Sequence, residues 1–427
     1  MFPAILALGI LALTALLVRA IHHRPQKPSE TPTVENWLAS QHAIVTFAYA
    51  GPNLPREQKL LLRSQPNSRL VAAFGIDNSL TTASVEVHDA FRRAAAKLVG
   101  NHQARWLVLY QAAEGIVSDW RQIGGASEAD GARRLRLAEG VRCLCFRVVL
   151  VDVFGKAVGG GGAGFVGEGE GEGGRESQVD GEKGTKEDED LVVVITKEIN
   201  NQWVESKRNE NLPRSKVLED GLKRLKLVLP DGDGVPLTPE EALGLIMPQY
   251  ETLWRVVLLT FVTAFHRVHG KAREEITRRT EGVPGCLGDS EKEKSALGLA
   301  KEGLRLFPSN KRIYRTGSEP ADLERCHRRA EIWGDDALEF RPERFDSLTD
   351  LQKQAYFPFS IGQHKCPAYA GFGDRMVTML VVVLGRMLSA DVGVVVFDDE
   401  ELDADGGGVK PLPTGRDDME GWVLELL

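Results

Sequence analysis

Cys366 carries more chemical promise than any other residue in this chain. It stands in the stretch FPFSIGQHKCPAYAGFGDRM, residues 357–376, flanked by Phe359, Gly362, His364, Pro367 and Ala368. A long helix is expected to begin a few residues later. A thiolate needs donors to hold its charge, and a turn of small residues ahead of a helix start supplies backbone N–H groups. Three chemistries are open to such a sulfur. A nucleophile needs a base, and His364, two residues away in a turn, is under no obligation to face the sulfur. A zinc ligand needs three companions, and neither Cys143-x-Cys145 nor Cys326-His327 offers a standard spacing. An axial haem ligand needs only itself and a large apolar cavity, which a mostly helical chain of this size can build.

Two further constellations could do chemistry or hold it in place. Glu302 and Arg305 lie three apart and so share one helix face. Such a pair is usually solvated and contributes little, but in an apolar setting with Arg344 it becomes a three-membered charged network. Glu251 and Thr252 are an acid–alcohol pair on a long apolar helix, where a hydroxyl can hold water and a carboxylate can feed it protons. Glu251 and Arg255 also stand four apart, a spacing assigned here to ordinary helix pairing.

Read together, these segments resemble cytochrome P450 enzymes. Phe359-Ser-Ile-Gly362-Gln-His364-Lys-Cys366-Pro-Ala368 is similar to the family's haem-binding loop, Phe-x-x-Gly-x-Arg/His-x-Cys-x-Gly/Ala. Glu302-Gly-Leu-Arg305-Leu-Phe-Pro308 is similar to its Glu-x-x-Arg helix, and Phe340-Arg-Pro-Glu-Arg344-Phe345 to its Pro-Glu-Arg-Phe segment. The resemblance covers roughly residues 70–400 and is specific in the second half. It implies a mainly α fold with small β-sheets, haem b with Cys366 as axial ligand, and Phe359, Gly362 and His364 around it. It assigns Glu302, Arg305 and Arg344 to a structural triad under the haem loop. His88 and Arg92, four apart on an early helix, together with Arg315, become partners of the haem propionates, with Arg312 a weaker substitute for Arg315. The alternative for His88 is a histidine on an exposed helix face. Pro248-Gln249-Tyr250-Glu251-Thr252 aligns with the oxygen-activation segment, but Pro248 and Gln249 replace its usual small pair. What the resemblance implies for function is a monooxygenase acting on an apolar organic substrate. Electrons would come from NADPH through a flavoprotein NADPH-cytochrome reductase, with cytochrome b5 as a second donor. Beside it stand a peroxide-using or isomerising variant of the scaffold, and a non-catalytic haem-binding member. The chain reads as a divergent, shortened, fungal-like eukaryotic member.

The elements that must position these residues are read from pattern. Thr238 is an N-cap, Pro239 the first helical residue and Glu241 completes a capping box, so a long helix is expected from there to about Arg267, with Pro248 inside it. Helical periodicity also marks the neighbourhoods of His88, Glu302 and the stretch after Gly371. EADGARRLRLAEGVRCLCFRVVLVDVFG reads as one helix or two, and VGVVVFD as a strand. From Gly155 to Asp190, 13 of 36 residues are glycine and acids outnumber bases ten to four, a composition that reads as a disordered insertion. Gly162, Gly164 and Gly167 mimic a dinucleotide fingerprint there, but the helix such a fingerprint requires cannot form from EGEGEGG.

The 427 residues suffice for a large core, and 53 basic against 61 acidic residues leave no footprint for nucleic acid. Five cysteines are too few and too irregular for a disulfide scaffold. Residues 2–18 run without a charge, followed by Arg19, Arg24 and Lys27. That pattern predicts a single transmembrane helix within residues 1–21. It leaves residues 22–427, the haem domain, on the cytoplasmic side of the endoplasmic reticulum membrane, in contact with its lipid.

Overall fold

The computed structural model describes residues 32–100, 103–123, 133–158, 186–283, 291–403 and 411–427. The apolar segment at residues 2–18 and the G-x-G-x-x-G mimic lie outside them. Among the described residues no helix is long and apolar enough to cross a membrane.

Helices dominate, as the apolar periodicity requires, and one of them organises the rest. This central helix, Pro239–Val262, begins at the expected capping box: Thr238 Oγ1 accepts from the Glu241 N–H (3.3 Å) and Glu241 Oε2 accepts from the Thr238 N–H (2.8 Å). A cap of this kind contributes about 1 kcal/mol. Pro248 is accommodated within the helix. From Leu253 to Val262 every residue is buried, so this half is apolar on all sides. The axis is extended to Arg267 by a π-helical turn, Thr263–Arg267, which the sequence pattern does not announce.

Around the central helix pack the Leu137–Phe154 helix, the Glu291–Leu306 helix that carries Glu302 and Arg305, and the C-terminal helix Phe372–Leu388. One large apolar cluster runs through all four. A smaller cluster, with Leu38, Trp333 and Phe357 among its members, sits under the first described helix, Val34–Thr46. The helix at Val85–Leu98 places His88 and Arg92, and Arg56–Ser64 precedes it.

Among the described residues sheet is confined to two small pieces. Strands β1 (Arg133–Arg136), β4 (Gly393–Val396) and β5 (Val423–Leu426) form an antiparallel sheet with β5 in the middle. Leu135, Leu424 and Val395 are in register and buried, so the alternation turns one face inward. Strands β2 (Arg312–Ile313) and β3 (Ala321–Asp322) pair antiparallel just after the Glu302 helix.

Two expectations need correction. The stretch through Arg133–Arg136 is a strand before it becomes a helix, because β5 offers it an open partner edge. The glycine–acid segment is shorter than residues 155–190. Gly155 is the left-handed C-cap of the Leu137–Phe154 helix, Val158 is buried, and residues from Lys186 onward already belong to a twenty-residue helix ending at Glu205. The apolar run Leu191–Ile195 gives that helix a face to bury and draws the preceding charges into its first turn. Residues 159–185 lie outside the described part.

Candidate functional site

The loop around Cys366 is closed on itself by backbone bonds. The Cys366 N–H donates to Phe359 O (2.9 Å), the Lys365 N–H to Gly362 O and the Tyr369 N–H to Cys366 O (both 3.2 Å). The reversal passes through Ser360 (φ +64°) and Gly362 (φ +72°), both left-handed. Phe359 then lies flat against the start of the C-terminal helix. A Cβ at Gly373 would stand 2.6 Å from its ring, so only glycine admits that packing. Cys366 itself is exposed where the loop opens. Burial on its protein side raises the thiol pKa, opposed by the Ala368 N–H and by the charges of Arg92 and Arg63.

Five basic side chains surround this opening. Arg92 donates to Lys365 O (2.9 Å), tying the Val85–Leu98 helix to the loop. His88, buried, bonds Ser79 Oγ through Nδ1 (2.8 Å) and meets His364 edge to face at 5.3 Å. His364, also buried, packs on Phe47 at 5.4 Å, and Arg315 stacks over the same Phe47 ring at 4.7 Å. The fifth is Arg63, which donates to Ser79 O (2.6 Å) and approaches His88 Nδ1 (3.5 Å).

The electrostatics of the five are one-sided. Burial, then Arg92, lowers Arg63 to about 10, and burial, then Arg63, lowers Arg315 to about 10. Burial and the same arginines bring His88 to about 4 and His364 to about 3, so both rings are neutral near pH 7. Among the described residues none of Arg63, Arg92 and Arg315 has a carboxylate partner. Two buried nitrogens here, His364 Nδ1 and Arg315 Nε, have no hydrogen-bond partner either. Arg312 faces away, 4.0 Å from Asp322. Cations converging without anions describe a cradle for something acidic.

The central helix borders the same region. Gly244, Leu245, Pro248, Gln249 and Thr252 are only half-buried while their helical neighbours are buried. At that spacing they form one stripe, and the stripe faces open space. Asn78 Nδ2 donates to Gly244 O (3.1 Å), and the next residue is Ser79, so one short loop joins the stripe to the basic cradle. Thr252 lies on the stripe. Glu251 does not share that setting. It is buried in an ion pair with Arg416, and burial raises its pKa against the pull of Arg416, Arg255, Lys207 and Arg69. Arg255 bonds Thr414 O (2.8 Å) and Ser309 O (2.7 Å), so the simple helix pairing of Glu251 with Arg255 is not what the structure uses.

Under the loop, Glu302, Arg305 and Arg344 come together. Arg305 Nε and Nη2 each donate to a Glu302 oxygen at 2.7 Å, and both residues are fully buried. Arg305 Nη1 also reaches His327 O (2.7 Å) and Ala337 O (2.6 Å). Arg344 Nε stands 3.6 Å from Glu302 Oε1, while its Nη1 donates to Trp333 O (3.0 Å) and Asp336 Oδ1 (3.1 Å). Asp336 makes this a network of four. No sequence motif pointed to Asp336, Arg63 or Arg416. A lone arginine on a short amphipathic helix, or one near a chain end, has no local signal that distinguishes it from a solvated charge.

Comparison with known proteins fits this arrangement. The profile of the cytochrome P450 family matches residues 321–388, which include Arg344 and the whole Cys366 loop. A putative cytochrome P450 of Caenorhabditis elegans is 28% identical over 155 residues, 30% of this chain and 30% of that protein. A cytochrome P450 of Oryza sativa subsp. japonica is 30% identical over 176 residues, 34% and 32% of the two chains. The chain is thus similar to cytochrome P450 proteins through residues 321–388. The carotene epsilon-monooxygenase of Arabidopsis thaliana chloroplasts, 26% identical over 192 residues, matches over 38% of this chain and 33% of that protein. The matches thus span about a third of the length of these curated P450 relatives. A cytochrome P450 of Thermus thermophilus, solved in a six-coordinated form, superposes with a TM-score of 0.52, covering 91% of this chain and 97% of that one. At 15% identity it speaks for the P450 fold alone.

The likeness to that family would imply haem held by a cysteine thiolate, and the residues present fit that group. Haem brings one iron and two carboxylates. The opening offers an exposed sulfur, three guanidinium groups without carboxylates and two unpartnered buried nitrogens. His364 stands where the family often has arginine, and it can give a propionate one bond in place of a fork.

Proposed function

We propose that this chain is a haem-thiolate monooxygenase that inserts one oxygen atom from dioxygen into an apolar organic substrate. In this reading electrons come from NADPH through a flavoprotein reductase. The observation that carries it is the carboxylate-free basic cradle around the opening in front of Cys366. Bound there, haem would supply the oxygen chemistry, and Cys366 would hold its iron as an electron-donating thiolate. The protein's own work is to hold and exclude. Cys366 is the proposed iron ligand, with Phe359 and Gly362 fixing the loop's shape. His88, Arg92, Arg315, His364 and Arg63 are the proposed propionate partners. Leu245, Pro248 and Gln249 present an apolar and amide-lined wall to the substrate. The deciding measurement is the absorbance of the reduced, carbon-monoxide-treated protein, where a thiolate-bound iron gives a red-shifted Soret band and an imidazole-bound one does not.

Arg63→Leu is expected to weaken haem retention roughly tenfold, the scale of one lost charge-assisted hydrogen bond. Transfer of haem to apomyoglobin would measure it. An unchanged transfer rate would remove Arg63 from the cradle.

Thr252 is the proposed carrier of protons, since its hydroxyl is on the half-exposed stripe while Glu251 is held by Arg416. Thr252→Ala is expected to keep haem and substrate binding but to divert NADPH electrons into peroxide, lowering product per NADPH several-fold. Unchanged coupling would take Thr252 out of the mechanism.

A further inference from the structure

A second group of cations converges one residue away from Thr252, on the side of the central helix that holds Glu251. Arg416, in the segment leading to β5, is buried and ion-paired with Glu251. Its guanidinium stacks over the Trp203 ring at 4.9 Å, and that of Arg69 stacks over the same indole at 4.7 Å. Arg69 also donates to Ser206 Oγ. Arg255, buried on the next turn of the central helix, has an Nε with no partner. Lys207, which follows the Ser206 that Arg69 bonds, completes the group; partial burial of its ammonium, then Arg416, Arg69 and Arg255, lower its pKa to about 8.

Four cations therefore share one ion-paired carboxylate among the described residues. Glu324, which flanks Arg255, is already paired with Arg328 (2.9 Å), and Asp417 beside Arg416 is exposed. Like charges held this close in a partly enclosed setting are unfavourable unless an anion joins them. Arg69 and Trp203 are half-buried and Lys207 is exposed, so the group is sealed on the Glu251 side and open on the other. An indole wall beside the charges suits a ligand with an apolar body.

We propose that Arg69, Lys207 and Arg416 form a binding site for an organic carboxylate, with Trp203 lying along the ligand's apolar part. Arg255 keeps Arg416 and Glu251 in place from the interior. The site's position next to Thr252 makes a carboxylate-bearing substrate the natural occupant. That last step rests on the monooxygenase reading, while the anion site does not.

Titration calorimetry of the haem-loaded full chain with decanoate and with decanol tests it. Decanoate is expected to bind about tenfold tighter than the alcohol, as charge-assisted bonds to one carboxylate allow, and added salt should narrow the gap. Lys207→Ala and Arg69→Gln, both at the open side, are expected to remove the preference for the acid and leave decanol binding as it was. Equal affinity for acid and alcohol in the parent protein, or a preference that survives in both variants, overturns the proposal. A Soret shift on binding decanoate identifies the carboxylate as substrate-like, and binding without one identifies it as an effector; both uphold the site. Absence of the red-shifted carbon-monoxide band would overturn the monooxygenase reading while the acid–alcohol comparison still judged the anion site.

Discussion

Cys366→Ser is expected to give a protein whose ferrous carbon-monoxide complex has lost the red-shifted Soret band and whose proposed monooxygenase activity is at background. The loop that presents the sulfur is held by its own backbone bonds, from the Cys366 N–H to Phe359 O and from the Tyr369 N–H to Cys366 O, and the substitution touches neither. The serine protein should therefore fold, and the loss should be one of ligand chemistry. A serine hydroxyl does not ionise near neutral pH and donates far less electron density than a thiolate. Cys143, Cys145 and Cys326 are partly or wholly buried at a distance from the basic cradle, and burial holds each of those thiols above its ordinary range. Their single replacement by alanine should leave the band intact. Retention of the band in Cys366→Ser would refute the assignment of the axial ligand.

Glu302→Ala should be the most damaging change outside the loop. The carboxylate takes two bonds from Arg305, one from the Arg341 N–H at 3.0 Å, and the charge of Arg344 at 3.6 Å, and both Glu302 and Arg305 are fully buried. Removing it leaves the fully buried Arg305 guanidinium with backbone carbonyls as partners and no carboxylate, while Arg344 keeps Asp336, at a cost of roughly 3–5 kcal/mol. That is a large share of a typical domain's stability. Soluble protein should come with little or no haem, because the same network fixes the segment that leads into the Cys366 loop. Glu302→Gln keeps the shape and loses the charge, so it should fall between the two. Full haem loading in Glu302→Ala would show that the network is dispensable.

The residues that the sequence made legible are those whose partners are local. The Cys366 loop, the Glu302–Arg305 pair, the capping box at Thr238 and the His88–Arg92 spacing all lie within a few residues of their signals. The structure places His88 in the interior instead of on an exposed helix face, because Ser79 and Arg63 supply it with polar partners. What could not be read depends on contacts made at long range. Arg416 engages Glu251 from far along the sequence, so the acid–alcohol pair that looked like one unit is divided between two environments. Arg133–Arg136 carries no alternation that would separate a strand from a helix start, and only the edge of β5 decides it. Asp336 joins the triad through a turn whose geometry no motif encodes.

The middle position of β5 has a consequence for how this molecule is made. Arg134 on β1 meets Glu425 on β5 across 291 residues of chain, at 2.8 Å. Among the described residues neither β1 nor β4 has another strand to pair with until residues 423–426 arrive. The segment leading into β5 brings Glu420 to the buried Arg142 and Arg416 to Glu251. During synthesis the helical core can assemble progressively from the N-terminal side, but the sheet and two buried charges on its flank must wait until residues 416–426 have been made. Contacts of such long sequence separation form slowly, and the intermediate they leave behind exposes unpaired strand edges. Yield in expression should accordingly respond to lower temperature and to chaperone supply more strongly than the stability of the finished protein would suggest.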